Sequence, residues 1–380
     1  MNTTSADRQI RAAVVRVPGG PFLLEDLELD SRLRPDEVLI RIVAAGVCQT
    51  DAHVRDQDLP VPLPLVLGHE GAGVVEGVGD AVQSVKIRDH VVLSYPSCGR
   101  CHPCLLGTPA YCEHGMELCL GGSRLDGSSA LSIHLPDGSR ELVHGHFFAQ
   151  SSFATHAIAT ERNVVRVPDD LPLELMAPLG CGLQTGAGAV LNSLRVAPGS
   201  KMAVFGTGAV GLAAVMAGRI AGASTIIAVD VNDERLALAS SLGATHTING
   251  KKEDTQVRIR EISKSGIDYV LEITAHPPML TLALEVLAPL GTAALIGGAP
   301  AGAKASIDMN TLLSGHRLRG IVQGDAVPQV FIPQLIEFFR AGQFPFDKLV
   351  RNYAFKDINL AFEDAKTGKT IKPVLRLGDV

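Results

Sequence analysis

Residues 201–230 constrain this chain more than any other stretch. Met202-Ala-Val-Phe205 is an apolar run the length of a buried strand, and Gly206-Thr207-Gly208-Ala209-Val210-Gly211 follows it as a turn. Residues 212–220 then form an Ala-rich helix, and Thr225-Ile-Ile-Ala-Val229 is a second apolar strand that ends in Asp230. Glycines in a G-x-G-x-x-G spacing, where a strand hands over to a helix, make the phosphate-binding turn of a βαβ unit. Gly206 allows the tight turn, Gly208 lets a pyrophosphate reach the backbone, and Gly211 lets the helix pack on the strand. The N–H groups and positive dipole end of the helix N-terminus face the phosphates. Glycines also serve ordinary turns, and a flavodoxin-like unit that binds nothing here has the same outline. The acid decides for a dinucleotide, because a carboxylate at the tip of the second strand accepts hydrogen bonds from both ribose hydroxyls. Asp230 would repel a 2′-phosphate, so NAD is expected over NADP; Arg235, just beyond it, is the residue that would pair with such a phosphate.

A chain of 380 residues is too long for one ordinary core, and two domains are expected. The net charge of −6, with both signs interspersed, offers no basic stripe to a nucleic acid. No apolar segment has the length of a membrane span, and residues 1–9 lack the apolar core of a signal peptide, so the reading is a cytoplasmic chain with a frayed tail. Seven cysteines are an odd number, and four of them crowd into residues 98–112, which suits metal binding in a reducing compartment better than disulfides.

Residues 10–17, 25–29, 37–44, 68–79 and 89–93 read as β-rich. They are broken by Pro18-Gly19-Gly20 and Arg34-Pro35-Asp36, and Pro60, Pro62 and Pro64 forbid a regular helix before Leu67. This predicts an irregular β-barrel-like domain that carries two groups of metal ligands. Cys98-x2-Cys101-x2-Cys104-x7-Cys112 puts four soft ligands in one lobe, residues 96–114, and fits a closed tetrahedral zinc site. An iron–sulfur cluster is the rival; tight spacing and the lack of an obvious electron path favour zinc. His102 and His114 read as solvated and Cys119 as a free thiol. Cys48, His69 and, much later, Cys181 are zinc-ligand types that would leave a fourth position open. Each also has an ordinary reading, a buried thiol or a hydrogen-bonded imidazole, and spacing alone does not join them.

In this order, Gly46-Val-Cys-Gln-Thr-Asp51, Gly68-His-Glu-Gly-Ala-Gly73, the four-cysteine lobe, Gly180-Cys-Gly182, the glycine turn and Asp230 resemble the zinc-dependent alcohol dehydrogenases of the medium-chain dehydrogenase/reductase superfamily. Pro62-Leu-Pro-Leu-Val-Leu-Gly-His-Glu70 and Phe147-Phe-Ala-Gln-Ser-Ser-Phe-Ala154 are similar to its bacterial aryl (benzyl) alcohol dehydrogenase branch. The resemblance implies two zinc ions per chain. A catalytic one would be held by Cys48, His69 and Cys181, and a structural one by the lobe. It implies that Asp51 orients the His69 imidazole and that Glu70 lies near the metal. Thr50 would take the alcohol proton and pass it, through the nicotinamide ribose, to His53. Zinc acts as the Lewis acid and NAD takes the hydride. Gln49 stands where several members carry Arg or His against the pyrophosphate, which predicts a weaker contact there; Lys372 matches a basic residue that contacts the same group.

In the remainder, Leu135-Pro-Asp-Gly138 reads as a hairpin turn, residues 147–159 as β-like, and 174–184 as one helix crossing between domains with Cys181 on it. Helices over 233–242 and 278–287 alternate with strands over 266–271 and 291–297. Ligands bind at the carboxyl ends of such strands, so Thr274, Ile296, Gly297 and Gly298 are candidates for the nicotinamide side; Thr185 is a further cofactor-binding candidate. After a helix over 328–341, strands over 348–355 and 371–377 rejoin the first domain. The expected class is α/β: a Rossmann, doubly wound parallel-sheet domain (183–323) inserted in an irregular β-barrel-like catalytic domain, GroES-like by the resemblance (1–182 and 324–380). The function expected is reversible oxidation of a small-molecule primary, benzyl-type alcohol to its aldehyde. A formaldehyde-class dehydrogenase of thiol adducts and a non-catalytic homologue that uses the fold as a scaffold are the alternatives. The family forms homodimers and homotetramers, often through the strand at 291–297.

Overall fold

The βαβ unit around Gly206 forms in the computed structural model, which describes residues 7–135 and 137–378. Lys201–Phe205 and Thr225–Asp230 are parallel strands joined through the helix Ala209–Ile220. Around it the chain divides into two units: residues 1–181, 327–333 and 349–380, and residues 182–326 and 334–348. The sequence pattern ran 324–380 together. In the structure one helix, Pro328–Arg340 with Pro333 inside it, is shared by both units, and 334–348 belong to the second.

In chain order the strands of the first unit are β1 (Asp7–Val15), β2 (Leu23–Asp30), β3 (Glu37–Gly46), β4 (Leu65–Val66), β5 (Gly71–Val78), β6 (His90–Leu93), β7 (Leu131–His134), β8 (Arg140–Val143), β9 (His156–Thr160) and β10 (Val164–Arg166). The second unit holds β11 (Lys201–Phe205), β12 (Thr225–Asp230), β13 (His246–Asn249), β14 (Ile267–Glu272), β15 (Leu287–Leu295) and β16 (Arg317–Gly320). β17 (Val350–Ala354) and β18 (Lys372–Arg376) return to the first.

Two sheets make the first unit, in the orders β4-β1-β2-β7-β8 and β10-β6-β5-β3-β18-β17, with β9 also on β3. Every pairing is antiparallel except β17 with β18. Their shared core includes Val14, Ile40, Leu65, Leu67, Phe147 and Phe153, all fully buried, each worth about 1.5–3 kcal/mol of transfer free energy. Residues 1–6 of the expected tail lie outside the described residues. Asp7, Arg8 and Gln9 are strand instead, paired with Asp30, Leu29 and Glu28. Of the expected hairpin turn, Pro136 lies outside the described residues, while the Leu135 N–H donates to the Ser139 carbonyl at 2.9 Å and β7 pairs with β8.

The second unit is a six-stranded, wholly parallel sheet in the order β13-β12-β11-β14-β15-β16. Numbered within the unit that is 3-2-1-4-5-6, the dinucleotide-binding order, whose strand reversal beside β11 lies at the glycine turn. Ala203, Phe205, Ile227, Ile248, Val270 and Ala293 fill its core. The strand expected over 291–297 runs from Leu287 to Leu295 and is interior, paired on both sides; the edge strands of this sheet are β13 and β16, both of which the sequence reading missed.

Two further local expectations change. Residues 174–184 are not one helix: Leu173–Met176 passes into a tight turn over Ala177–Gly180, Cys181 leaves helical geometry (φ −140°, ψ −85°), and a new helix spans Gly182–Gly188. Phe147–Ala149 is a tight helical turn rather than strand, and His146, Phe148, Ala149 and Ser151 all have positive φ.

Candidate active site

The helix Gln49–Arg55 starts with Cys48 as its N-cap, in extended geometry. Asp51, fully buried in its first turn, does two jobs: Oδ2 accepts the Cys48 N–H at 3.1 Å, and Oδ1 accepts both His69 Nδ1 at 2.9 Å and the Gly68 N–H at 3.1 Å. One carboxylate thus fixes two sequence-distant side chains. With Nδ1 donating to Asp51, the neutral imidazole presents its lone pair on Nε2. That Nε2 is buried and has no hydrogen-bond partner. Cys48, His69, Glu70 and Cys181 each bring a ligand atom within 4.8 Å of the others. All lie in the first unit, Cys181 as its last residue before the second begins. Two sulfurs, one orphaned imidazole nitrogen and a carboxylate in a buried space are a donor set suited to zinc.

The four groups act on one another's protonation. Hydrogen bonding to Cys181 holds the Cys48 thiol well below its ordinary range, and the same bond, with burial, raises Cys181. Burial pulls His69 down, but the charges of Asp51 and Cys48 outweigh it and raise the imidazole well above its usual value. Burial pushes Asp51 up as well. Glu70 is pushed up to about 7 by burial, against the pull of Lys372.

Lys372 has partners that the sequence did not announce. Its Nζ donates to both Glu70 oxygens, at 2.9 and 3.0 Å, and to the Val47 carbonyl at 3.0 Å. An ammonium has three hydrogens, and these three bonds occupy them all on this buried lysine. It neutralises Glu70 beside the metal ligands.

Thr50 and His53 are three residues apart on one helix and share a face. The Thr50 hydroxyl is 3.8 Å from the Cys48 sulfur, His53 Nδ1 is 2.9 Å from Asp58 Oδ2, and Gln49 is exposed at the helix start. Phe148 stacks on the His69 ring at 4.6 Å between centroids and 27° between planes, and Phe147 meets it edge-on at 5.6 Å. This candidate metal ligand therefore has an aromatic wall, whose residues the sequence analysis read as strand.

The lobe gathers Cys98, Cys101, Cys104 and Cys112, also within 4.8 Å of one another, and all seven cysteines are free thiols. Backbone N–H groups point at its sulfurs: Cys98 N to Cys112 at 3.2 Å, Cys101 N to Cys98 at 3.3 Å and Glu113 N to Cys101 at 3.4 Å. The Arg100 N–H, with others, brings Cys98 down to about 6, while burial pushes Cys112 up to about 12. His102 and His114 are exposed and stand outside the cluster, and burial pushes the Cys119 thiol up to about 12.

In the second unit, Gly206 turns with φ +94°, and a Cβ at Gly211 would sit 1.9 Å from the Gly206 carbonyl oxygen. A Cβ on Gly208 would meet nothing within 4 Å, which leaves room for a phosphate before Ala209 and Val210 open the helix. Asp230 accepts the Thr207 N–H and hydroxyl at 2.7 and 2.8 Å, and the N–H groups of Val231 and Asn232 at 2.7 and 3.1 Å. Arg235 has a buried Nε without a hydrogen-bond partner. Thr274 packs at Gly206, where a Cβ would lie 3.1 Å from its methyl group, and Gly297 lies against Ile273 and Ala275. Ile296 and Gly297 donate their N–H groups to the Glu272 carbonyl, and a Cβ on Gly298 would meet nothing within 4 Å. The Thr185 hydroxyl is 3.4 Å from Gln323 Oε1.

Residues 34–169 match the alcohol dehydrogenase GroES-like domain, and residues 209–341 match the zinc-binding dehydrogenase family. The geraniol dehydrogenase of Castellaniella defragrans is 45% identical over 378 residues, 99% of this chain and 100% of that one. This chain belongs to the zinc-dependent alcohol dehydrogenase family. Among solved structures, an alcohol dehydrogenase zinc-binding domain protein from Burkholderia ambifaria is 53% identical with a TM-score of 0.94, covering 98% of this chain and 99% of that one. The benzyl alcohol dehydrogenase of Acinetobacter calcoaceticus is 45% identical, also at 0.94, covering 98% and 100%. As a zinc alcohol dehydrogenase the chain works with zinc and a nicotinamide cofactor on small-molecule alcohols, and the donor sets and the glycine turn fit both.

Proposed function

We infer that this dehydrogenase oxidises primary alcohols whose carbinol carbon adjoins a π system, benzylic ones foremost: RCH2OH and NAD+ give RCHO, NADH and H+, reversibly. The observation that carries the substrate class is the Phe148 ring stacked on His69, which offers a flat aromatic surface beside the metal ligand. Geraniol and benzyl alcohol, named for two relatives, share that CH2OH next to unsaturation.

Cys48, His69 and Cys181 would hold a catalytic zinc and the four-cysteine lobe a structural one, so that each chain carries two. When bound, the first supplies Lewis acidity toward the alcohol oxygen and NAD supplies the hydride acceptor. The protein's residues do the rest. Asp51 holds the imidazole in the tautomer that presents Nε2. Thr50, beside the Cys48 sulfur, takes the alcohol proton, and His53, partly exposed and paired with Asp58, passes it to water. Lys372 pairs with both oxygens of Glu70 and offsets the charge that burial disfavours there. Asp230 favours NAD: a ribose diol replaces the Thr207 hydroxyl on its Oδ2, whereas a 2′-phosphate meets a carboxylate.

Free cysteines support a reducing, cytoplasmic setting, and no helix among the described residues is long and apolar enough to cross a membrane. β16, exposed along its length at the sheet edge and flanked by exposed Leu290, Leu312 and Leu313, supports a homodimer or homotetramer.

The test is NADH formation across benzylic, allylic and aliphatic alcohols, with zinc measured on the same sample. Benzyl alcohol should lead by catalytic efficiency. Turnover of an S-hydroxymethyl thiol adduct in preference to benzyl alcohol would replace this reading with the formaldehyde class. NADH binding without turnover of any alcohol would replace it with a non-catalytic scaffold. Asp230→Gly should erode the NAD over NADP preference by about 10- to 100-fold, the worth of one or two charge-assisted hydrogen bonds.

A further inference from the structure

Four residues in six, from His146 to Ser151, hold left-handed backbone without being glycine. Each such residue costs about 1 kcal/mol or more, and persists only where its surroundings over-determine it. The surroundings here are specific. The Asn163 amide donates to the Phe148 and Ala149 carbonyls at 3.3 and 3.2 Å, and the Ser151 hydroxyl donates to the Val66 carbonyl at 2.7 Å while accepting the Phe147 N–H at 3.0 Å. The result of the contortion is that Gln150, buried and flanked by Ala149 and Ser151, turns its amide inward.

That amide touches the metal-ligand segments directly. Gln150 Nε2 donates to the His69 carbonyl at 3.0 Å and to the Ser94 carbonyl at 3.1 Å, and its Oε1 accepts the Gly71 N–H at 3.1 Å. Ser94, just past β6, is the second arm. Its hydroxyl donates to the Gly180 carbonyl at 2.7 Å, on the residue before Cys181, and its N–H donates to the Asn163 carbonyl at 2.9 Å. A Cβ on Gly180 would lie 2.1 Å from the Leu93 carbonyl oxygen, so this segment sits directly on the end of β6. Ser94, Gln150 and Asn163 are each at most 2% exposed. Asp51 ties Cys48 to His69, and Cys48 meets Cys181 directly; a second path from His69 to Cys181 runs behind them through Gln150 and Ser94.

The geometry points to a positioning role for Ser94 and Gln150: they clasp the backbones beside His69 and Cys181 and thereby set the separation and angle of two of the three catalytic metal ligands, with Asn163 holding the clasp closed. This rests on the catalytic zinc reading above. Buried polar networks act in this way when every member is satisfied, because the low dielectric makes each bond costly to lose. Supporting groups behind metal ligands typically matter by about 10- to 100-fold in metal affinity or activity.

The experiment replaces the metal with cobalt in the whole enzyme and compares wild type with Ser94→Ala, Ser94→Thr and Gln150→Met. Readouts are chelator competition for the catalytic-site metal, the cobalt d–d and sulfur charge-transfer bands, kcat and KM for benzyl alcohol, and NADH binding. Ser94→Ala should weaken metal retention by about 10-fold, shift the cobalt bands and lower kcat with NADH binding unchanged. Ser94→Thr, which keeps the hydroxyl, should restore the bands. Gln150→Met should move the bands at least as far. Wild-type bands and metal retention in Ser94→Ala, or a loss of thermal stability alone with the cobalt spectrum intact, would overturn the proposal. If Ser94→Ala does not fold, wild-type bands in Gln150→Met overturn it equally. A wild type without alcohol turnover would count against the function and not against the clasp, because the cobalt bands and metal competition read the clasp without substrate.

Discussion

The two sulfur-rich clusters of the first unit are both compact and opposite in construction. In the lobe, four ligands come from residues 98–112, all are sulfur, and what supports them is their own local backbone N–H groups. In the other cluster the candidate ligands come from residues 48, 69, 70 and 181, the donors are mixed, and side chains from elsewhere support them: Asp51 behind His69, Lys372 behind Glu70. A closed set of four soft ligands satisfies a metal and holds a loop. A set of three with an oriented imidazole leaves a position for chemistry. The lobe is thus assembled by its sequence, whereas the catalytic cluster is assembled by the fold, and damage to each should read out differently.

The largest expected effect breaks the second cluster. Cys48→Ser or His69→Ala should bring kcat for benzyl alcohol below detection while the dissociation constant for NADH, followed by fluorescence, stays within about 2-fold, since the glycine turn belongs to the other unit. A metal-free variant that still turns over would refute the zinc role. Next in size is the lobe. Cys104→Ser should cost several kcal/mol of stability, roughly 10 °C in thermal midpoint, with KM for the alcohol unchanged; an unaltered midpoint would remove the structural assignment.

The smallest effect sharpens the contrast through pH. His146, at the base of the aromatic wall, is held down to about 3 from the ordinary 6.5 by burial, helped by the charges of Arg124 and Arg34. Its Nε2 accepts the Ala130 N–H at 3.3 Å, which needs the neutral ring. Between those two values the unfolded chain binds the proton that the folded one refuses. The stability His146 contributes is therefore complete above pH 6.5 and is lost as pH falls toward 3, at about 1.4 kcal/mol per pH unit. By pH 5 that is about 2 kcal/mol, and His146→Gln, which retains an acceptor, should flatten the slope in denaturant titrations between pH 7 and 5. Equal slopes in both proteins would contradict it.

What could be read from the chain beforehand follows the same division. The lobe's ligands lie within one turn-rich loop, and the glycine turn with Asp230 lies within one βαβ unit, so both were visible as local patterns. Cys181 was recognisable only by resemblance, because its bonds to the rest of the cluster depend on strands paired across the first unit. The pairing of Lys372 was not legible: its partner Glu70 is 302 residues away, and nothing in the local sequence says that a lysine is buried. The helix over 174–184 looked continuous because its residues favour helix, but the backbone breaks at the metal ligand. His246–Asn249 and Arg317–Gly320 carry no apolar run, and only their neighbours in the parallel sheet make them strands. Gln150 and Asn163 have the look of surface amides; their burial comes from a contorted backbone that no composition announces.

The account is tested most directly by counting zinc in parallel with turnover in three proteins: wild type, Cys48→Ser and Cys104→Ser. It predicts two zinc ions per chain in the first and one in each variant, with benzyl alcohol oxidation lost in Cys48→Ser and retained in folded Cys104→Ser. Two zinc ions and full activity in Cys48→Ser would contradict it.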